Sequence, residues 1–423
     1  MVSFPVKDEK VFKIQMLNWA NQFNIFCLLD NQQYNIHQPS FECLLAAGKK
    51  TNIVATAGNA FKLLQQFYNK HKHEWLFGHF CYDLKNEIDG LQSQHEDKIG
   101  FCDLHFFVPE IIIELKNKEV AIFANQGAAE IFKAIISCPT VITGNKKNNV
   151  TVTPKIKKSD YLHIIERLKQ HILRGDCYEI NFCQEFYASN TIIDPLFIYN
   201  QLTAVSPNPF SAFYKFNYRY CLCASPERYL QKNKGRIFSQ PIKGTAKRDL
   251  SDKAKDDKAK NYLLLSDKEK SENVMVVDLV RNDLSRICKP GTVQVDELFG
   301  LYSFPQVHQM ISTISGIPED GLNWIDCIKA TFPMGSMTGA PKKRVMELIE
   351  EFEQTRRGLF SGALGYVKPN GDFDFNVVIR SMLYNEKEKN ISFQTGGGIT
   401  FNSNAVMEYE ECLLKAEAMM KVL

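Results

Sequence analysis

Glu269 and Glu272 stand three residues apart, and so do Glu408 and Glu411. On a helix such a pair shares one face, about 60° apart around the axis. Two pairs turned toward each other would form an oxygen-rich clamp suited to Mg²⁺, which takes one or two carboxylates together with water and an anionic substrate. Either pair alone would better suit a solvated surface, since glutamates three apart are common on exposed helices. The apolar runs Val274-Met-Val-Val277 and Cys412-Leu-Leu414 beside them argue that parts of both helices are buried. A second unusual group is Lys243, in Pro241-Ile-Lys-Gly-Thr245. Its neighbours predict a buried turn, where an ammonium is costly. A desolvated lysine has a lowered pKa and becomes a nucleophile.

Two glycine-bearing segments offer binding surfaces. Gly335-Ser-Met-Thr-Gly-Ala-Pro-Lys342 sets small residues and hydroxyls ahead of a helix whose first turn suits Pro341. Backbone N–H groups at such a place favour a carboxylate or phosphate. Gly396-Gly-Gly398 closes a strand and either admits a ligand to the backbone or makes a tight turn.

The elements that must hold these groups are mixed. Before about residue 145, Trp75–Tyr82 reads as a buried strand, and 111–115 with 120–123 as a hairpin. Asn59–Tyr68 and Ala128–Ile136 have helical spacing. Gly144-Asn-Lys-Lys-Asn-Asn149 is an exposed connection or a long hairpin loop. Ser159 then caps a helix with the stripe Tyr161, Ile165, Leu168 and Ile172, ending before Gly175. Strands are expected near 177–184, 210–215, 219–223 and 236–239. The Lys/Asp-rich stretch 249–273 leads into Val274–Val280 as one long helix with a solvated face. A helix follows Pro341, three strands fill about 361–395, and a last helix runs from about Ala405 to Lys421. Hairpins and helices without regular βαβ alternation predict an α+β fold. The division expected is an N-terminal region 1–145 and a catalytic region 146–423.

Bulk properties narrow the partners. With 51 Lys plus Arg against 48 Asp plus Glu, the net charge is +3. So weak a balance favours neither nucleic acid nor an anionic membrane, so an anionic ligand must be held by local groups. No apolar stretch approaches the ~20 residues that span a bilayer, and the N-terminus lacks a signal-peptide core. The 12 cysteines are scattered among apolar neighbours without a Cys-x-x-Cys pair. Buried, reduced thiols in a cytoplasmic protein are expected.

In order, the chain carries Ser225-Pro-Glu-Arg228; Pro241-Ile-Lys-Gly-Thr245; Glu272-Asn-Val-Met-Val-Val-Asp-Leu-Val-Arg-Asn-Asp283; and Val307-His-Gln-Met-Ile-Ser312. There follow Gly335–Lys342, Ser361-Gly-Ala-Leu-Gly-Tyr366, Val378-Ile-Arg380, Gly396-Gly-Gly-Ile399 and Glu408-Tyr-Glu-Glu-Cys-Leu-Leu-Lys415. Across about 225–415, with weaker likeness back to about 160, this set resembles the chorismate-utilising enzymes. The resemblance implies two large antiparallel β-sheets packed as a sandwich and flanked by helices. Glu272 and Glu411 look like the Mg²⁺ ligands, with Glu269 and Glu408 in or beside the shell, holding the ring carboxylate of chorismate. Arg380, Lys415 and the backbone of Gly397 and Gly398 look like the grip on the enolpyruvyl carboxylate. Gly244, Thr245, Ser336 and Thr338 lie in substrate-binding segments, and His308 matches the family histidine beside the ring.

Relatives that make anthranilate or isochorismate carry alanine where this chain has Lys243, whereas aminodeoxychorismate synthases carry lysine. The resemblance therefore implies amination of chorismate at C4, through attack of Lys243 at C2, with Glu227 protonating the departing hydroxyl. Isochorismate and salicylate synthases carry a general-base lysine where this chain has Glu179, which argues against hydration at C2. Anthranilate synthase is the alternative activity, and a tryptophan-binding pseudo-enzyme the non-catalytic one. Phe360 departs from the Tyr or Trp usual in the family and is expected only to pack. No Gly-x-Cys-x-Gly elbow occurs, and the chain ends eight residues after Lys415. The expectation is ammonia supplied by a separate glutamine amidotransferase subunit.

Overall fold

The computed structural model describes residues 2–34, 41–125, 127–144, 150–304 and 307–423. Most of the predicted connection at 144–149 lies outside the described residues. Among those described, the strands gather into one sheet of 12 and a second of 10. The first is centred on Ile25–Asp30, Phe210–Phe216, Arg219–Ser225, Ser381–Asn385, Asn390–Ile399 and Glu179–Ala188, each antiparallel to its neighbour. The second contains Ile242–Lys247, Val307–Gly316, Arg236–Gln240, Arg228–Asn233, Phe373–Val377, Ala363–Val367 and Leu76–Phe80, again antiparallel.

Strand alternation explains how the two sheets meet. Along Ile25–Asp30, Cys27 and Leu29 turn inward to a cluster with Tyr214, Phe77, Leu364 and Tyr366, drawn from both sheets. Phe26 and Leu28 turn outward, to helices Glu9–Ala20, Lys158–Leu173 and Ala405–Val422. The outer face of the second sheet is covered by Ala60–Lys70, Asp267–Ser285 and Trp324–Thr331. Strands buried on both faces read as continuous apolar runs, which is why Ile-Phe-Cys-Leu-Leu shows no polar alternation. The fold is α+β, two antiparallel sheets face to face between helices. Segments before residue 145 supply strands to both sheets, so the N-terminal region shares its cores with the rest of the chain.

Four local expectations need correction. The predicted single helix through 249–280 is two, Lys253–Leu265 and Asp267–Ser285. Ser266 ends the first, and its hydroxyl accepts from Glu269 N to cap the second. Ser159 lies inside its helix rather than capping it, because the helix begins at Lys158. A strand at Arg228–Asn233 was hidden by its polar residues. The region 361–395 holds the starts of four strands rather than three, since Ser381–Asn385 and Asn390–Ile399 are separated only by a short turn. No helix among the described residues is long and apolar enough to cross a membrane.

Candidate active site

The site lies where the chain crosses from one sheet to the other. Strand Arg219–Ser225 belongs to the first sheet and Arg228–Asn233 to the second, and Glu227 sits on the connection between them. Phe373–Val377 and Ser381–Asn385 make the reverse crossing, with Arg380 on that connection. The two crossings touch: Ala224 N donates to Arg380 O at 3.2 Å, and Val377 N to Glu227 O at 3.1 Å. Arg380 takes a left-handed φ of 49°, which reaims its side chain as the chain changes sheets. Among the described residues its guanidinium has no recorded hydrogen-bond partner, while the charge of Glu227 lies close enough to be felt.

Glu227 is 4% exposed, and Ser336 Oγ donates to its Oε1 at 2.5 Å. Burial pushes its carboxyl up to about 7, against the opposing pull of Ser336, Lys243, Arg380 and Lys415. The neighbouring Arg228 is engaged by other partners. That guanidinium is held by Asp374 at 3.1 and 3.2 Å and by Gln240 at 2.6 Å. Glu227 is thus a carboxyl that holds a proton near neutral pH beside three cations.

Lys243 is on the edge strand Ile242–Lys247, with Gly244 beside it at φ 95°. Its Nζ donates to Glu179 Oε1 at 2.6 Å, across from one sheet to the first strand residue of the other. Desolvation lowers the lysine, but Glu179, Glu272 and Glu411 outweigh it, and the ammonium is held above its ordinary range. The expectation of a lowered pKa is therefore reversed in this state. The reason is tertiary: residues far apart in the chain bring carboxylates to the buried cation. Asn273 fixes the backbone here, donating to Lys243 O at 3.4 Å while accepting from Ser312 Oγ at 2.6 Å.

Gly396, Gly397 and Gly398 run beside this pair in strand Asn390–Ile399. A Cβ on Gly398 would collide with Glu179 Oε1 and Lys243 Nζ, so the glycine is needed for close approach. Lys415 donates to Gly396 O at 2.8 Å and pairs with Glu411 Oε1 at 2.7 Å, which leaves one N–H of its ammonium.

The helix Asp267–Ser285 turns Asn273, Val276, Val277 and Val280 inward, and Glu272 shares their buried side. On Ala405–Val422, Glu408 is buried with Ala405, Tyr409 and Cys412. Glu272 and Glu408 are 9% and 3% exposed. Burial pushes Glu272 up to about 7 despite Lys243, with Glu179 and Glu269 adding repulsion. Glu269 is pushed up by burial and by the charge of Glu411. Glu411 is held down to about 2 by the Lys415 ammonium. Among the described residues, no three acidic, histidine or cysteine side chains converge closely enough to hold an ion as they stand. What lies between the helices is the Lys268 ammonium, 3.7 Å from Glu272 Oε1 and 3.6 Å from Glu408 Oε1. Among the described residues, those two buried oxygens have no hydrogen-bond partner.

The remaining expected residues lie at varied distances from this centre. Ser336 is in the site, on a short turn Gly335–Met337. Thr338 is fully buried and gives its hydroxyl to Met334 O at 3.2 Å, which closes that turn. Thr245 is exposed on the edge strand, paired with Gln309. His308 lies on the adjoining strand, opposite Ala246, with Ser303 Oγ 2.8 Å from Nδ1 and Asp256 Oδ1 3.0 Å from Nε2. A cavity of about 380 Å³ beside it is lined by Arg248, Lys253, Asp256 and Ser303, away from Lys243 and the four glutamates. Phe360 packs in the apolar cluster of the second sheet.

Sequence reasoning passed over Asn273, Lys268 and Arg357, and treated Glu179 only as a missing lysine. Arg357 staples the Gly335 turn to the Glu179–Ala188 strand, donating to Met337 O at 2.7 Å and Asn181 O at 2.8 Å. Lys268 carried a legible signal, because it stands one helical turn before Glu272.

Such a site can bind a multiply anionic, polar molecule between Arg380, Lys415 and the glycine strand, and supply a proton from Glu227. The chain matches the model of chorismate binding enzymes over residues 24–421. It is 38% identical over 393 residues to a probable chloroplastic aminodeoxychorismate synthase of Oryza sativa subsp. japonica, covering 83% of this chain and 43% of that one. It is 32% identical over 354 residues to aminodeoxychorismate synthase component 1 of Klebsiella aerogenes, covering 82% and 76%. Its structure superposes on anthranilate synthase component I of Streptococcus pneumoniae with a TM-score of 0.77 at 26% identity, covering 92% and 94%. The match covers less than half the length of the plant relatives, 30% and 43% of each. Ordered motifs, sheet topology and the matched span agree: the chain belongs to the chorismate binding enzymes.

Proposed function

We propose that the chain aminates chorismate at C4 to give 4-amino-4-deoxychorismate, with Lys243 as nucleophile and Glu227 as general acid. The observation that carries this reading is a buried lysine in the cleft between the sheets, within electrostatic reach of a carboxyl that titrates near 7. Arg380 and the remaining N–H of Lys415 receive the enolpyruvyl carboxylate, where a guanidinium without a hydrogen-bond partner among the described residues has the most to gain. Glu179, at 2.6 Å, is the nearest acceptor for the proton that Lys243 must lose before it attacks. The lysine amine then bonds to C2, the two conjugated ring double bonds shift round toward C4, and the C4 hydroxyl leaves as water with the proton from Glu227. Ammonia enters at C4 and the lysine departs, with Glu227 now placed to accept a proton. His308 acts beside the ring only if a bound substrate draws it from Asp256 or Ser303.

Glu272, Glu411, Glu269 and Glu408 fit Mg²⁺ in donor chemistry, as hard oxygens that include two buried ones without a hydrogen-bond partner among the described residues. When bound there, the ion would neutralise the ring carboxylate and orient the ring. In the same reading, a separate glutamine amidotransferase subunit supplies the ammonia, the product feeds 4-aminobenzoate and folate synthesis, and the reaction runs in the cytoplasm.

The test is the purified chain with chorismate, Mg²⁺ and ammonium, followed by a lyase that releases 4-aminobenzoate. Anthranilate formed without the lyase would overturn the reading. That second activity is favoured by one observation, the likeness to anthranilate synthases at 30% identity and above over 82% of the chain.

A further inference from the structure

Glu272 Oε1 and Glu408 Oε1 belong to different helices, are buried, and lack any hydrogen-bond partner among the described residues. Both face one group, the Lys268 ammonium, at 3.7 and 3.6 Å. Those separations make an ion pair but exceed hydrogen-bond length, so neither carboxylate is closed off. Lys268 reaches them from the rim, with its side chain 40% exposed against 11% for Glu272 and 3% for Glu408. A flexible four-carbon stem at the mouth can swing into solvent without moving the helix.

A buried carboxylate without a partner is costly unless a cation answers it. Lys243 also acts on Glu272, but the Lys268 ammonium is within ion-pair distance of both carboxylates, and it ties the helix Asp267–Ser285 to the helix Ala405–Val422. A divalent ion bound to carboxylate oxygens sits about 2.0–2.1 Å from each, so it cannot share the gap with the ammonium. We propose that Lys268 is a tethered counter-cation for Glu272 and Glu408, displaced when a divalent metal enters, so that metal binding is an exchange of cations. This rests on the metal reading of the glutamates above. The lysine thereby lowers the affinity for free metal while partly neutralising the clamp without it. It is a positioning residue and does not touch the reacting atoms.

The test is Mg²⁺ titration calorimetry on the full chain without chorismate or ammonium, with thermal unfolding in parallel. Lys268→Gln should bind Mg²⁺ about five- to tenfold more tightly, the effect of removing one partly screened unit charge about 4 Å away. Its metal-free form should melt earlier than the wild type, and saturating Mg²⁺ should close that gap. Lys268→Arg, which keeps the charge, should leave the affinity within about twofold. Unchanged or weaker Mg²⁺ binding by Lys268→Gln, or none at all, overturns the exchange. Glu272→Gln separates the two claims. If it leaves the wild-type binding heat intact, the metal lies elsewhere and the metal reading itself fails. If it abolishes binding while Lys268→Gln gives no tightening, only the role of the lysine fails.

Discussion

Replacing Glu227 by glutamine tests the acid by its effect on folding as well as on turnover. The amide keeps the size of the side chain and can still accept from Ser336, but it cannot ionise. In the wild type, burial moves Glu227 from its ordinary value of 4.5 up to about 7. Between those values the folded protein keeps a proton that the unfolded chain has lost, so the stability from this group is complete below 4.5 and falls as pH rises through 7. At about 1.4 kcal/mol per pH unit, the whole fall is worth about 3 kcal/mol. Glu227→Gln removes it. The stability of the variant minus that of the wild type should therefore rise by about 2–3 kcal/mol between about pH 5 and 8, read from urea unfolding at each pH. Glu272, also pushed up to about 7, is present in both proteins and cancels in the difference. If Glu227 is the general acid of the proposed reaction, ammonium-dependent turnover should fall about 10²–10⁴-fold in the same variant. A stability difference that stays flat with pH would refute the buried, proton-holding carboxyl, whatever happened to activity.

Ser336→Ala removes the hydrogen bond that pulls Glu227 down, so the loss of kcat/KM on raising the pH should move to higher pH; an unmoved profile would separate the serine from the acid. Glu179→Gln removes a carboxylate that holds Lys243 up, so Lys243 should be labelled by an amine reagent at lower pH than in the wild type, read by peptide mass; equal labelling would mean that Glu179 does not control its proton. Gly398→Ala places a methyl group against Glu179 and Lys243, whose side-chain ends can shift while the strand holds. It should cost about 10²-fold in kcat with little change in melting temperature, and full activity would refute a working role for that close approach.

Individual residues show which features were legible in advance. Helices Ala60–Lys70, Ala128–Ile136 and Ala405–Val422 follow from apolar spacing, and the hairpin from Ile111 to Ala124 from two apolar runs around a polar turn. The polar strand Arg228–Asn233 was missed because tertiary contacts, not its own pattern, bury it: Arg228 is fully enclosed by Asp374, Gln240 and the ring of Phe210. The break at Ser266 was missed because charged helices on either side share one composition.

Residue type and short spacing alone supply the parts: a lysine in a glycine turn, two glutamate pairs at helical spacing, and glycines at the strand end. Those are local features. Their states come from packing across the two sheets and their helices. The proton on Lys243 depends on Glu179, 64 positions away, and that on Glu227 on burial at a crossing between sheets. The state of the glutamate clamp depends on Lys268 lying between two helices. Charge and desolvation act through space, at distances that no spacing along the chain specifies.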